Sequence, residues 1–250
     1  MPRTPDRLGV AHAPMVADRT GCARILEGVT SVIGALGASA RLGDMTDRAP
    51  EGDQALLAEP MRSRWSPSFF DDSHVLTADQ VRRLLVAAQW APSCGNAQPA
   101  AFVVAERGSD SHEVLVRHLT RGNSGWVPRA SVVFVVAAQQ APDEAGEGGY
   151  KPFHAEYDAG QAAAHVTLQA HAMGLFAHQF AGFDKEAVAA DLGVPAWVRL
   201  LAGIAIGVRG DPADVPADDA ERDERVRRRV PLAARAHGDR WGVAWPGLGA

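Results

Sequence analysis

The chain has 250 residues, 46% of them hydrophobic, enough to bury a substantial core as one domain or as one domain with a tail. Its formal net charge of -5 argues against nonspecific nucleic-acid binding, which needs an excess of Lys and Arg to neutralise phosphates. The two cysteines, Cys22 and Cys94, match no metal or redox spacing, so the composition argues against a disulfide scaffold and a zinc site and points to a reducing, cytoplasmic compartment.

Residues 1–61 read as a poorly defined N-terminal extension. Ile25 through Ala38 is a small-residue apolar run ending near Ala38-Ser39-Ala40, superficially like a signal peptide with its cleavage site. Asp18, Glu27 and the long upstream leader speak against export. The run is also shorter than the roughly 20 apolar residues that span a bilayer, so no membrane partner is expected. Three alternatives stay open: a disordered or loosely docked extension that could carry one helix, an over-long start with the working protein beginning near Met45 or Met61, and a targeting segment.

From residue 62 the pattern becomes regular, and residues 62–250 are expected to form the folded domain. Thr77-Ala78-Asp79-Gln80 has the form of a capping box, and Val81, Leu84, Leu85 and Ala88 recur at helical spacing until Pro92, which predicts a helix over 78–90. Residues 100–105 and 131–138 are short apolar runs rich in Val and Phe, as for strands buried on both faces. A short helix fits 111–120 between them. Ala155 to Met173 is apolar almost all round, which predicts a helix buried in the core or against another subunit. Strands are expected over 176–181 and 200–208, with a helix over 184–191 between them. No glycine fingerprint or phosphate loop is present, since Gly146, Gly148 and Gly149 follow acidic residues and not a strand. The fold class expected is therefore α+β, with a mixed, mostly antiparallel sheet flanked by helices.

Two segments carry the chemistry. Ala91-Pro92-Ser93-Cys94-Gly95-Asn96-Ala97-Gln98-Pro99 offers small polar side chains and backbone N–H groups on a proline-bounded turn, which suits a flat polar ligand. Tyr157-Asp158-Ala159-Gly160-Gln161 leads through Gly174-Leu175 to Ala181-Gly182-Phe183-Asp184. In this order and separation they resemble the FMN-dependent nitroreductase family, over about residues 62 to 242. The resemblance implies an intertwined homodimer of nitroreductase-like fold.

It also implies an FMN site. Arg64-Trp65-Ser66-Pro67-Ser68 resembles the family's opening Arg-x-Ser-x-Arg/Lys motif, in which Arg64 and Ser66 would meet the phosphate and ribityl chain. Ser68 stands where relatives place a basic residue at the pyrimidine edge of the flavin, so stabilisation of the reduced anion is in doubt. Ser93, Cys94 and Asn96 match the Pro-Ser-Ser-x-Asn-x-Gln-Pro loop, which serves the flavin held mainly by the opposite subunit. Cys94 replaces the second serine and is a weaker donor, and no Cys–His motif supports a catalytic thiol. Asn123 matches an asparagine at the polar edge of the ring, and Trp126 stands where some relatives have lysine. Phe180, Ala181 and Gly182 match the segment that passes one flavin face and lends N–H groups to its N5 and O4 edge, with Ala181 replacing a frequent Glu. Arg227 and Arg229, in Arg227-Arg228-Arg229-Val230-Pro231, resemble the Lys/Arg-x-Arg-x-Pro pattern that grips the FMN phosphate.

His165 and His171 lie six residues apart on different helix faces, so no metal site is expected. His154 and Tyr157 sit beside the expected mouth of the site. The activity implied is two-electron transfer from NADH or NADPH to a small-molecule acceptor, a nitroaromatic, quinone or similar conjugated electrophile. No catalytic side chain is named, because hydride transfer occurs at flavin N5. The substitutions at Ser68, Cys94, Trp126 and Ala181 leave two alternatives: a flavin-binding protein without efficient NAD(P)H turnover (a sensor, store or partner subunit), or a specialised flavin-consuming or dehydrogenating enzyme of the same fold.

Overall fold

The computed structural model describes residues 52–120, 122–141, 143 and 152–248. Cys22, the 25–38 run and Gly146, Gly148 and Gly149 lie outside them.

Helix α1 (Ala78–Gln89) starts where the capping box places it: Thr77 Oγ1 accepts from Gln80 N–H at 3.3 Å and Gln80 Oε1 accepts from Thr77 N–H at 2.8 Å. Pro92 prevents its continuation. Four strands follow: β1 (Ala100–Glu106), β2 (Val132–Gln139), β3 (Phe176–Phe180) and β4 (Val198–Gly207). They form one sheet of order β1-β2-β4-β3, and all three pairings are antiparallel.

Strand β2 is a continuous apolar run because both of its faces are covered. Val132, Phe134, Val136 and Ala138 pack with Val81, Leu84 and Ala88 of α1 and with the long helix α3 (Pro152–Ala172). Val133, Val135 and Ala137 face the other way, onto Leu115, Val127, Phe180 and Val188. Burial on two faces, and not parallel pairing, produced the pattern.

Helix α2 spans Asp110–Arg117, shorter at its C-terminal end than the sequence pattern predicts. Leu119 leaves the helix to bridge Phe183, and Thr120 N–H donates to the Gly182 carbonyl at 2.9 Å. That departure brings residues 119–126 beside the Gly182 turn. Helix α4 (Lys185–Asp191) begins one residue after its expected start because Asp184 is its cap, accepting from Ala187 N–H at 3.0 Å.

Helix α3 is buried in the core of its own chain on one side only. Ala155, Ala159, Ala162, Ala163, Val166 and Ala170 are buried against the sheet and α1, whereas Glu156, Tyr157, Gly160, Ala164 and Ala172 are open to solvent in the single chain. A fifth helix, α5 (Ala217–Asp223), was not signalled by periodicity, since its surface is almost entirely charged or small.

Candidate functional site

Three groups of candidate residues emerge, and two of them are joined. The first is basic. Arg64 lies half-buried with its Nη1–H on Ser66 Oγ at 3.0 Å. Arg227 returns from the C-terminal segment, donates to the Arg64 carbonyl, and lays its guanidinium over the Trp65 ring at 5.0 Å from the centroid. Arg229 is exposed, with its Nη1–H on the Arg228 carbonyl. Burial, and next the like charge of Arg229, hold the Arg64 pKa below its ordinary value. Among the described residues no carboxylate pairs with Arg64 or Arg229. Arg64 and Arg229, without a carboxylate partner among the described residues, leave the region suited to an anion.

A buried ion pair holds this group together. The Asp223 side chain is fully enclosed, accepts from the Ser68 N–H at 2.6 Å and pairs with Arg209 at 2.8 Å. The Arg209 guanidinium also covers the Phe69 ring and reaches Glu224 at 2.8 Å. Asp223 thus ties the 64–68 segment to the end of β4 and to the start of the tail that carries Arg227 and Arg229.

The second group is an aromatic shelf. Trp126 stacks on His178 at 4.4 Å with an interplanar angle of 25°, with Phe70 and Phe180 around it. His178 Nδ1 lies 2.7 Å from the Pro67 carbonyl, which fixes the proton on that nitrogen and joins the shelf to the basic group. Asn123 uses its side chain as a brace: Oδ1 accepts from Trp126 Nε1–H at 3.2 Å and Nδ2–H donates to the Gly182 carbonyl at 3.0 Å. Phe180, whose ring covers Gly203 in the neighbouring strand, leads into Ala181 and Gly182. Ala181 is exposed, and neither its N–H nor that of Gly182 donates in a turn or loop hydrogen bond.

The third group is the 93–98 loop. Gly95, Asn96 and Gln98 have φ of 59°, 58° and 53°, so two non-glycine residues sit in the left-handed region. The loop is held in that shape: Ser93 Oγ accepts from Gln98 N–H at 3.0 Å, and the buried Asp158 of α3 accepts from Cys94 N–H at 2.9 Å. Asn96 is exposed and Cys94 is a free thiol, half-buried. Asp158 meets Cys94 near one end of α3, and His171 stands at the other end, beside Arg64 and Arg227. Thirteen residues of helix separate them, about 20 Å.

The match of a family model, described as the nitroreductase family, covers residues 61–208, more than half of the sequence. This chain belongs to the nitroreductase family. An uncharacterized 15.4 kDa protein from the ask 5′ region of Mycolicibacterium smegmatis is 39% identical over 149 residues, covering 56% of this chain and 97% of the relative. A solved oxidoreductase containing FMN is 34% identical, covers 79% of this chain and 96% of its own, and superposes with a TM-score of 0.66. A protein described as a nitroreductase, in complex with FMN, from Desulfovibrio desulfuricans is 25% identical, with coverage of 74% and 99% and a TM-score of 0.58.

Within this nitroreductase-family fold, several residues escaped the sequence reading. Asp223 and Arg209 lie 14 positions apart, in a charge run and at a strand end, and only folding joins them. Asp158 was visible in a motif, but its role as the anchor of the 93–98 loop was not. His178 gave one signal, a polar pair with Gln179 between the apolar ends of its strand.

The site also makes a stability prediction. Burial, as the largest cause, holds His74, His112, His171 and His178 below the ordinary histidine pKa. Between about pH 6.5 and their lower folded values the unfolded chain binds more protons, so stability rises with pH in that window. It is fully present above about 6.5 and falls below it. The ligand-free protein should therefore melt at a lower temperature at about pH 5.5 than at about pH 7.5, and a flat profile would contradict the burial of these rings.

Proposed function

We propose that this chain is an FMN-dependent NAD(P)H oxidoreductase that passes two electrons to a nitroaromatic, quinone or similar conjugated acceptor, and that it works as a homodimer. The observation that carries this reading is the convergence of Arg64, Arg227 and Arg229, with Arg64 and Arg229 lacking a carboxylate partner among the described residues. A phosphomonoester supplies the missing negative charge, and planar guanidinium groups match its oxygens. The solved FMN-containing oxidoreductase, 34% identical, supports FMN as its source.

Each part of the chain then has a task. Arg64 and Arg229 neutralise the phosphate, Ser66 keeps Arg64 oriented, and Arg227 stiffens the segment carrying Arg64 while lending charge. Gly182 lets the backbone approach a planar ring, and the N–H groups of Ala181 and Gly182 remain to bind its polar edge. Asn123 keeps that turn in place. FMN, when bound, supplies the hydride acceptor and donor for both half-reactions. No side chain needs to act as acid or nucleophile.

The separation along α3 supports the dimer. The Ser93, Cys94 and Asn96 loop and the arginines of one chain stand at opposite ends of a helix span of about 20 Å, an arrangement that suits a loop serving a flavin whose phosphate the other chain holds. Trp90, beside that loop, and Tyr157, on the open face of α3, are 79% and 69% exposed, and a second copy would cover them.

One observation favours the alternative of slow turnover: a half-buried serine at 68 and a tryptophan stacked on a histidine at 126 place no cation at the edge where relatives have one. Purified protein should retain FMN in preference to riboflavin and oxidise NADH or NADPH in the presence of a quinone. Flavin retention without nucleotide oxidation would select the storage or sensor reading, and no flavin preference would remove both.

A further inference from the structure

His178 belongs to none of the motifs, yet it is joined to both ends of the candidate site. Its Nδ1–H donates to the Pro67 carbonyl at 2.7 Å, within the segment that carries Arg64. Its own strand runs two residues further to Phe180 and then into the Ala181–Gly182 turn, whose N–H groups make no turn or loop hydrogen bond. The ring is held flat against Trp126, 4.4 Å between centroids. On the other side of the Pro67–Ser68 peptide, the Ser68 N–H donates to the enclosed Asp223 carboxylate at 2.6 Å. One peptide unit thus links a buried anion to the imidazole, which polarises Nδ1–H and favours positive charge on the ring. The lone pair is left on Nε2. That nitrogen makes no hydrogen bond to a described residue, and unlike His112 Nε2 and His171 Nδ1 it is not enclosed.

We propose that His178 balances the charge of the flavin: when bound FMN is reduced, His178 Nε2 takes up one proton from solvent, and the imidazolium faces the negative charge that reduction leaves on the ring system. The inference rests on the reading of this site as a flavin site and deepens it. Hydride from the nicotinamide carries two electrons and one proton, so the flavin gains one negative charge, and the proton on His178 offsets it. When the acceptor withdraws the hydride, His178 returns its proton to solvent. The imidazole takes no part in hydride transfer itself; charge near the flavin nitrogens is one of the means by which a protein tunes that cofactor. Before reduction, burial first and Arg64 next hold the ring neutral, against the Pro67 bond and the charge of Asp223. A negative charge arriving beside Nε2 turns that balance toward the cation. Lys185 of α4 is engaged elsewhere, on the Ala181 carbonyl at 3.0 Å and over the Phe183 ring.

The test is spectroelectrochemical titration of FMN-loaded protein between about pH 7 and 8, which counts protons taken up with the two electrons. Each linked proton moves a two-electron couple by about 30 mV per pH unit, the equivalent of a tenfold change in the equilibrium. Wild type, with two linked protons, should shift by about 60 mV per pH unit, and His178→Asn, which keeps an N–H for Pro67 but cannot titrate, by about 30 mV. A merely structural role for His178 would leave the slope unchanged. Equal slopes in the two proteins overturn the proposal, and so does a one-proton slope in wild type, which would mean that Arg64 or Lys185 meets the charge alone. Should His178→Asn fail to fold or to hold FMN, nitrogen-15 magnetic resonance of the wild-type ring decides. Nε2 should be unprotonated with oxidised FMN and protonated after reduction, and a ring that stays neutral overturns the role. Wild-type protein that binds neither FMN nor riboflavin would instead refute the flavin reading beneath it.

Discussion

Asp223→Ala should destabilise the fold by about 3–5 kcal/mol, since removing one partner of a buried pair strands the other charge. Asp223 is fully enclosed, the Arg209 side chain is 11% exposed, and the pair is 2.8 Å apart. Loss of the acceptor for Ser68 N–H adds to the cost. Glu224 remains on the exposed side of Arg209, which places the effect toward the lower end of that range, about 3 kcal/mol. Urea unfolding of the two proteins measures this directly. Asp223→Asn, which can still accept from Ser68, should lose less. A change under about 1 kcal/mol for Asp223→Ala would mean that the pair does not tie the tail to the 64–68 segment.

Arg64→Ala should weaken FMN binding by about 1.5–3 kcal/mol, roughly 10- to 150-fold, because a charge-assisted contact in a half-buried setting is lost. Arg229→Ala should act in the same direction at the lower end, since Arg229 is exposed and solvent screens it. Riboflavin, with no phosphate, should respond little to either change. Titration by flavin fluorescence quenching gives all four affinities. The same variants test the shared site: mixing chains that carry Arg229→Ala with chains that carry Asn96→Ala should restore binding in heterodimers, where one site has both wild-type contributions. Retained affinity in Arg64→Ala and Arg229→Ala would place the phosphate elsewhere.

Much of the fold was legible because local physics decides it. The Thr77 and Gln80 capping box, the 3.6-residue spacing of Val81, Leu84 and Ala88, and the Val-rich runs of β1 and β2 each declare their element within a few residues. Helix α5 was hidden because charged residues on every side erase the amphipathic signal. The Arg64, Arg227 and Arg229 grouping was legible only as a resemblance; proximity across more than 160 residues is a property of the fold. Asn123 shows the limit of a motif: the resemblance gave it a place at the flavin edge, and the structure shows its side chain bracing Trp126 against Gly182. Asp223 was invisible because its partners, Ser68 and Arg209, come from other elements and carry no spacing rule.

The most direct test of the account is anaerobic addition of NADH or NADPH to FMN-loaded protein, followed through the visible flavin band. The account predicts that at least one nucleotide bleaches the band and that a stoichiometric quinone restores it. A bound flavin that stays oxidised with both nucleotides would contradict it.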